Sequence, residues 1–178
     1  MRKHLESWFF TRVFDDEIRA KADEILTLYR VRGLRIVTAE SLTGGLIAAA
    51  LTEIPGASDV VDRAFVVYTY EAKAQTLAIP YETVRACGAV SESVARAMAE
   101  GAVAKATPSH AVSVAVTGVA GPGPSGDSPA GRVHMASARW DKTGSVHAQM
   151  DFGSIGRDGV RRATLLAAFE MLKARAEG

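Results

Sequence analysis

Between Gly33 and Pro55-Gly56 the chain changes its pattern abruptly, and that change restricts the fold more than any other feature. Leu34-Arg35-Ile36-Val37-Thr38 is a short β-rich run, whereas the stretch from Thr43 to Glu53 is small and apolar on nearly every side. A helix without a polar face must bury most of its circumference, and close packing against a sheet does this. The two segments therefore read as a β-turn-α unit, closed by Pro55-Gly56. An α/β layered architecture is the expectation.

The flanking segments extend this reading. From Asp15 to Arg32, Ile18, Ala22, Ile25 and Tyr29 recur at helical spacing, and Gly33 provides a stop. A second strand, Arg63 to Tyr68, leads into a short helix through Glu71 and Lys73 to Leu77. Ser91 suits the N-cap of a helix from Ser93 to Ala106, with Val94, Met98 and Val103 on one side. A third strand, His110 to Val116, ends at Thr117-Gly118, and a Gly- and Pro-rich loop follows from Val119 to Ala130.

Arg132 to Trp140 and Ser145 to Phe152 read as a hairpin joined through Asp141-Lys142-Thr143-Gly144. With Asp141 opposite Gly144, Val133 faces Phe152, Met135 faces Met150 and Ser137 faces Ala148, giving one largely apolar face. The last helix spans about Arg157 to Ala176, with Val160, Thr164, Ala167 and Met171 in one stripe. No internal repeat or linker interrupts the chain. The expectation is a single three-layer α/β/α domain over residues 1–178, with 1–14 as an N-terminal extension. Its sheet is mixed, with helices on both faces and a C-terminal antiparallel hairpin.

Composition excludes several classes. A 178-residue chain can bury most of its apolar surface. Apolar and charged fractions of 48% and 23% argue against disorder. The longest apolar stretch, Leu46 to Leu51, is far short of the roughly 20 residues of a spanning helix. Met1 to Thr11 holds two basic residues but is broken by His4 and Glu6, with no signal-peptide core. The lone Cys87 cannot form an intramolecular disulfide, which fits a reducing, cytoplasmic setting. Flanked by Ala86 and Gly88, it reads as a packed small hydrophobe. A net charge of +1 without a basic run argues against direct nucleic-acid binding.

A metal is not expected. In the hairpin register above, His147 lies opposite Ala138, about 13 Å along the strand from His134 at roughly 3.3 Å per residue. That is too far for one ion, and His134 faces Asp151 instead. His4 and His110 lie in other segments.

Two Gly-rich turns remain. Thr43-Gly44-Gly45 lies where a strand passes into a helix, and helix-start N–H groups favour an anion or oxyanion. Ser41 or Thr43 as a plain N-cap is the simpler alternative. Thr117-Gly118-Val119-Ala120-Gly121-Pro122-Gly123 also leaves a strand end, where α/β sheets commonly bind ligands; a surface turn is the alternative. Arg157 and Arg161 share one face at a helix start, where cations oppose the macrodipole. Either a bridging anion or a solvated pair accounts for them.

Taken together, Ala39-Glu40-Ser41-Leu42-Thr43-Gly44-Gly45, Tyr68-Thr69-Tyr70-Glu71-Ala72-Lys73, Gly88-Ala89-Val90-Ser91, Thr117-Gly118-Val119-Ala120-Gly121-Pro122 and Arg157-Asp158-Gly159-Val160-Arg161 resemble the CinA C-terminal family, the nicotinamide-nucleotide amidohydrolases. The blocks stand in family order and cover about residues 15–175. Some relatives carry a further N-terminal domain similar to molybdopterin-binding proteins; the stand-alone form is expected here. The chain departs from the usual pattern at Thr69-Tyr70, where Ser-Asn is common, and in the loop Gly123 to Arg132, with Arg132 at a usual Thr.

The resemblance implies hydrolysis of the carboxamide of nicotinamide mononucleotide, giving nicotinic acid mononucleotide and ammonia, without a cofactor and in a homo-oligomer. It implies Ser41 as nucleophile, activated by Lys73 directly or through Tyr68, with Lys73 lowered by burial beside Arg157 or Arg161. Thr43 and Gly44 N–H groups are the implied oxyanion donors. Glu40, Thr43, Gly44, Gly45, Thr117, Gly118, Gly121, Arg157 and Arg161 are the implied substrate contacts. The arginines and the Thr117–Gly121 loop would meet the phosphate, and Glu40 the pyridinium. A catalytically silent nucleotide-binding protein, or an amidohydrolase for another small amide, are the competing readings.

Overall fold

A computed structural model describes residues 12–106 and 110–178, so residues 1–11 of the expected N-terminal extension, His4 included, lie outside the described residues. Helix α1 spans Asp16–Arg32. Asp15 caps it by accepting from the Ile18 N–H at 2.9 Å, and Gly33 ends it in the left-handed conformation. Ile18, Ala22, Ile25 and Tyr29 are all buried, as their spacing predicts. Phe14, from the segment expected to be an extension, is also buried against this core.

Strand β1 (Arg35–Glu40) follows, then α2 (Leu46–Thr52), β2 (Val61–Val66), α3 (Tyr70–Leu77), α4 (Tyr81–Cys87) and α5 (Glu92–Ala104). The chain continues through β3 (Ala111–Gly118), β4 (Arg132–Ala138), β5 (Ser145–Asp151) and α6 (Arg157–Glu177). The five strands form one sheet in the order β2-β1-β3-β4-β5. β1 runs parallel to both β2 and β3, and the hairpin adds β4 and β5 antiparallel. The architecture is thus α/β with a mixed sheet, as expected.

Strand alternation sends successive side chains to opposite faces. Ile36 joins one core with α1, α2 and α6, whereas Val37 and Ala39 join a second core with α3, α4 and α5. This alternation carries past the strand end and separates Glu40 from Ser41, which has consequences for the site.

Four details differ from expectation. The hairpin register is shifted by two: Val133 pairs with Met150, Met135 with Ala148 and Ser137 with Val146. Ala138 pairs with Ser145, so residues 139–144 form the loop. Arg139 bridges to Val112 on β3, and its Nε holds Asp141 at 2.9 Å, which draws it out of the turn. A shift of two preserves the faces but changes every partner. His134 therefore faces Gln149 rather than Asp151, which pairs with Arg132 at 2.8 Å. Instead of lying 13 Å apart, His134 Nδ1 and His147 Nε2 approach to 3.0 Å.

The other differences concern helices. α6 buries Val160, Thr164, Leu165, Ala168, Phe169 and Leu172, so its stripe is turned from the expected one and Ala167 and Met171 lie at the margin. Helix α4 was not expected. It buries only Val84, and Cys87 at its end is exposed rather than packed.

Candidate active site

The site begins at the C-terminal end of β1. The chain leaves the sheet through Gly44 and Gly45, whose φ values of 62° and 92° are left-handed and disfavour any side chain. Gly45 is the N-cap of α2 and has no side chain with which to cap it. Glu40 supplies that function from the preceding strand: its fully buried carboxylate accepts from the Ile47 and Ala48 N–H groups at 3.1 and 2.9 Å. Thr38 Oγ1 adds a third hydrogen bond at 3.1 Å. The glutamate lies on the α2 face and satisfies helix-start donors that would otherwise be orphaned.

Ser41, the next residue, turns to the opposite face. Its N–H donates to the Val116 carbonyl at 3.1 Å, so it is held at the end of the sheet beside β3. It is 8% exposed, and its Oγ lies 3.1 Å from Lys73 Nζ. Lys73 comes from α3, whose N-cap Thr69 accepts from the Ala72 N–H. The lysine is completely buried. Its Nζ also meets the carbonyls of Val67 at 2.8 Å and Tyr68 at 3.3 Å. Val67 in turn donates its N–H to the Glu40 carbonyl, tying the lysine's support to the strand that carries the serine.

Burial lowers Lys73 from 10.5 to about 8, because a charged amine loses its water and gains no anion. The expected help from Arg157 or Arg161 is not needed; desolvation is the whole cause. At pH 7 roughly a tenth of the side chain is neutral, against about one part in three thousand without the shift. A neutral amine has two hydrogens and one lone pair. The two carbonyls accept the hydrogens, and the lone pair then faces the Ser41 hydroxyl.

The phenol of Tyr68 does not reach the lysine. It is 59% exposed and lies 3.2 Å from Arg157 Nη2. Arg157 Nη1 donates to the Gly121 carbonyl at 3.2 Å, so the guanidinium spans the mouth of a cleft of about 230 Å³. Tyr68, the loop from Gly118 to Ser125 and Arg157 line it. Arg157 has no carboxylate partner among the described residues and stands at the start of α6. Its charge is offset neither by an acid nor by the helix dipole, and an anion in the cleft would meet both needs.

Arg161 points elsewhere. Its Nη2 donates to the Thr43 carbonyl at 2.9 Å, so it braces the turn after Ser41. Among the described residues, Arg161 Nε and Thr43 Oγ1 are buried without hydrogen-bond partners. The Gly44 N–H is taken by the Ser41 carbonyl at 3.1 Å, whereas the Thr43 N–H has no backbone partner among the described residues. Thr117 Oγ1 donates to the Ala89 carbonyl at 2.6 Å and so fixes the 88–91 segment. Gly118 belongs to β3, where a Cβ would lie 2.6 Å from the Arg132 carbonyl; it is there for strand packing. No group of three or more His, Cys, Asp or Glu suited to a metal occurs among the described residues. No helix there is long and apolar enough to cross a membrane.

Residues 18–176 match the family model of the CinA C-terminal domain. A CinA-like protein from Anaeromyxobacter sp. (strain K) is 39% identical over 174 residues, which is 97% of this chain and 41% of that protein. The chain thus spans about two-fifths of the length of such relatives. The nicotinamide-nucleotide amidohydrolase PncC of Escherichia coli (strain K12) is 38% identical over 159 residues, covering 89% of this chain and 94% of the relative. The crystal structure of the competence/damage-inducible protein CihA from Agrobacterium tumefaciens superposes with a TM-score of 0.85 at 46% identity, over 92% of this chain and 98% of the other.

Proposed function

Since the chain belongs to the CinA C-terminal domain family, we propose that it hydrolyses the carboxamide of nicotinamide mononucleotide to nicotinic acid mononucleotide and ammonia. The observation that carries this reading is the buried, partly neutral Lys73 amine 3.1 Å from Ser41 Oγ. Likeness to the E. coli amidohydrolase along nearly its whole length supports the substrate.

Lys73 takes the Ser41 hydroxyl proton as Oγ attacks the carboxamide carbon. The carbonyl oxygen becomes an oxyanion that the Thr43 N–H would receive, a contact expected to contribute about 3 kcal/mol. Collapse of the tetrahedral intermediate breaks the C–N bond, and Lys73 returns its proton to the departing nitrogen as ammonia leaves. Water then attacks the acyl-serine ester with the same lysine as base, which frees the carboxylate and restores Ser41. The nucleotide phosphate lies at Arg157 and the Gly121 loop.

Glu40 acts from behind the site. Its carboxylate fixes α2 and the turn, and does not face the pyridinium. The test is ammonia release from nicotinamide mononucleotide by the wild type, Ser41→Ala and Lys73→Ala. Release by the wild type alone is expected. Binding of the nucleotide without release by any of the three would replace this reading with that of a silent binder.

A further inference from the structure

We propose that a second cleft, beside the first, is a subsite for a nucleoside phosphate; the inference builds on the nucleotide chemistry assigned to the first cleft. The second cleft has a volume of about 450 Å³ and shares Ser125 with the first. Tyr70, Arg85, Asp127 and Ser128 contribute to its walls. α3 and α4 form one side, and the turn at 125–128 forms the other, closed by reciprocal backbone hydrogen bonds between Ser125 and Ser128.

These walls are tied to the sheet. Tyr70 Oη accepts from the Ala89 N–H at 3.3 Å, and the Ala89 carbonyl accepts from Thr117 Oγ1 on β3 at 2.6 Å. The Tyr70 ring is therefore held at its tip while the side chain remains 36% exposed. A fixed, half-exposed ring is a stacking platform for a planar base.

Arg85 and Asp127 supply the polar part. Both line the cleft, and among the described residues neither has an ion-pair partner. Opposite charges that share a cleft without meeting leave space for a ligand that satisfies them separately. A phosphate suits the guanidinium, and the vicinal hydroxyls of a ribose suit the carboxylate. Base, ribose and phosphate together make a nucleoside monophosphate. Such a group arrives in one of two ways. It is the distal half of a dinucleotide whose nicotinamide half fills the first cleft across Ser125, or it is a free mononucleotide.

Calorimetry with adenosine monophosphate and with nicotinamide adenine dinucleotide tests this on the wild type, Tyr70→Ala and Arg85→Ala. Adenosine monophosphate should bind the wild type and lose about tenfold or more in affinity in both variants. Ammonia release from nicotinamide mononucleotide should be unchanged in Arg85→Ala. If the dinucleotide is the source, it displaces adenosine monophosphate, and its carboxamide reacts with water to give a carboxylate and ammonia with an Arg85-dependent KM. If a free nucleotide is the source, adenosine monophosphate binds while nicotinamide mononucleotide saturates the first cleft, and the dinucleotide neither displaces it nor shows an Arg85-dependent KM. No binding at millimolar concentration, or binding unaltered by both substitutions, overturns the proposal. Calorimetry needs no turnover, so binding with no ammonia release from any substrate would sink the amidase reading and leave the subsite standing.

Discussion

Lys73 and Arg157 stand at opposite ends of one residue, Tyr68, and differ in a single respect that decides their chemistry. Lys73 meets the Tyr68 carbonyl and Arg157 the Tyr68 phenol, and both are bonded to neutral oxygens. Lys73 is fully buried, so its charge is costly and its proton is easily given up. Arg157 is exposed and, among the described residues, bonded only to neutral oxygens, so its guanidinium is open to an anionic ligand. Under the proposed amidase reading, two cations without acidic partners among the described residues would serve as a base and an anchor, according to burial. For an amidase the first must act in the transition state and the second mainly in binding.

The sharpest way to break this contrast is at the buried end. Ser41→Ala should lower kcat by at least about a thousandfold. Lys73→Arg should do the same, because it restores the charge but not a base. A Lys73→Arg enzyme with near-normal turnover would show that the lysine acts only as a charge. At the exposed end, Arg157→Ala should raise KM by about tenfold and change kcat little. Arg161→Ala should show the opposite split, with kcat falling more than KM rises, because its guanidinium braces the Thr43 carbonyl. Steady-state kinetics on the two arginine variants, side by side, checks both.

Smaller effects concern stability. Glu40→Gln keeps the shape but weakens the cap of α2, and should cost about 1–2 kcal/mol in urea denaturation. Lys73 imposes its own cost. Its folded value near 8 lies below the unfolded 10.5, so between these values the unfolded chain binds the extra proton and stability rises with pH. Below pH 8 the full penalty, about 3 kcal/mol, is present. Relative to Lys73→Met, the wild type should therefore gain stability between about pH 8 and 10. Equal pH slopes for the two proteins would contradict the burial argument.

The layered fold was readable because its signals are local and periodic. Helix α1 combines a capping Asp15, a helical stripe and a Gly33 stop, and each agrees with the others. The hairpin register was not readable, since it depends on Arg139 leaving the strand for Asp141 and for the Arg175 carbonyl in α6. Turn chemistry at Asp141–Gly144 carries no trace of that contact, and the shift brought His134 and His147 together. Within the candidate site, sequence placed Glu40 and Ser41 side by side, but the pleat assigns them to opposite faces. The glutamate's capping role follows from Gly45, a residue chosen for its left-handed φ that cannot cap its own helix. Burial of Lys73 has no local signal at all: Glu71 and Lys73 look like any solvated helix start, and only the sheet behind α3 makes the difference.

If Lys73 works as a neutral base, the pH dependence of kcat/KM for nicotinamide mononucleotide must follow its titration. The rate constant should climb about tenfold per unit below pH 8 and level off above it, as the buried amine loses its proton. A flat profile across that range would contradict it, for the base would then be some other group.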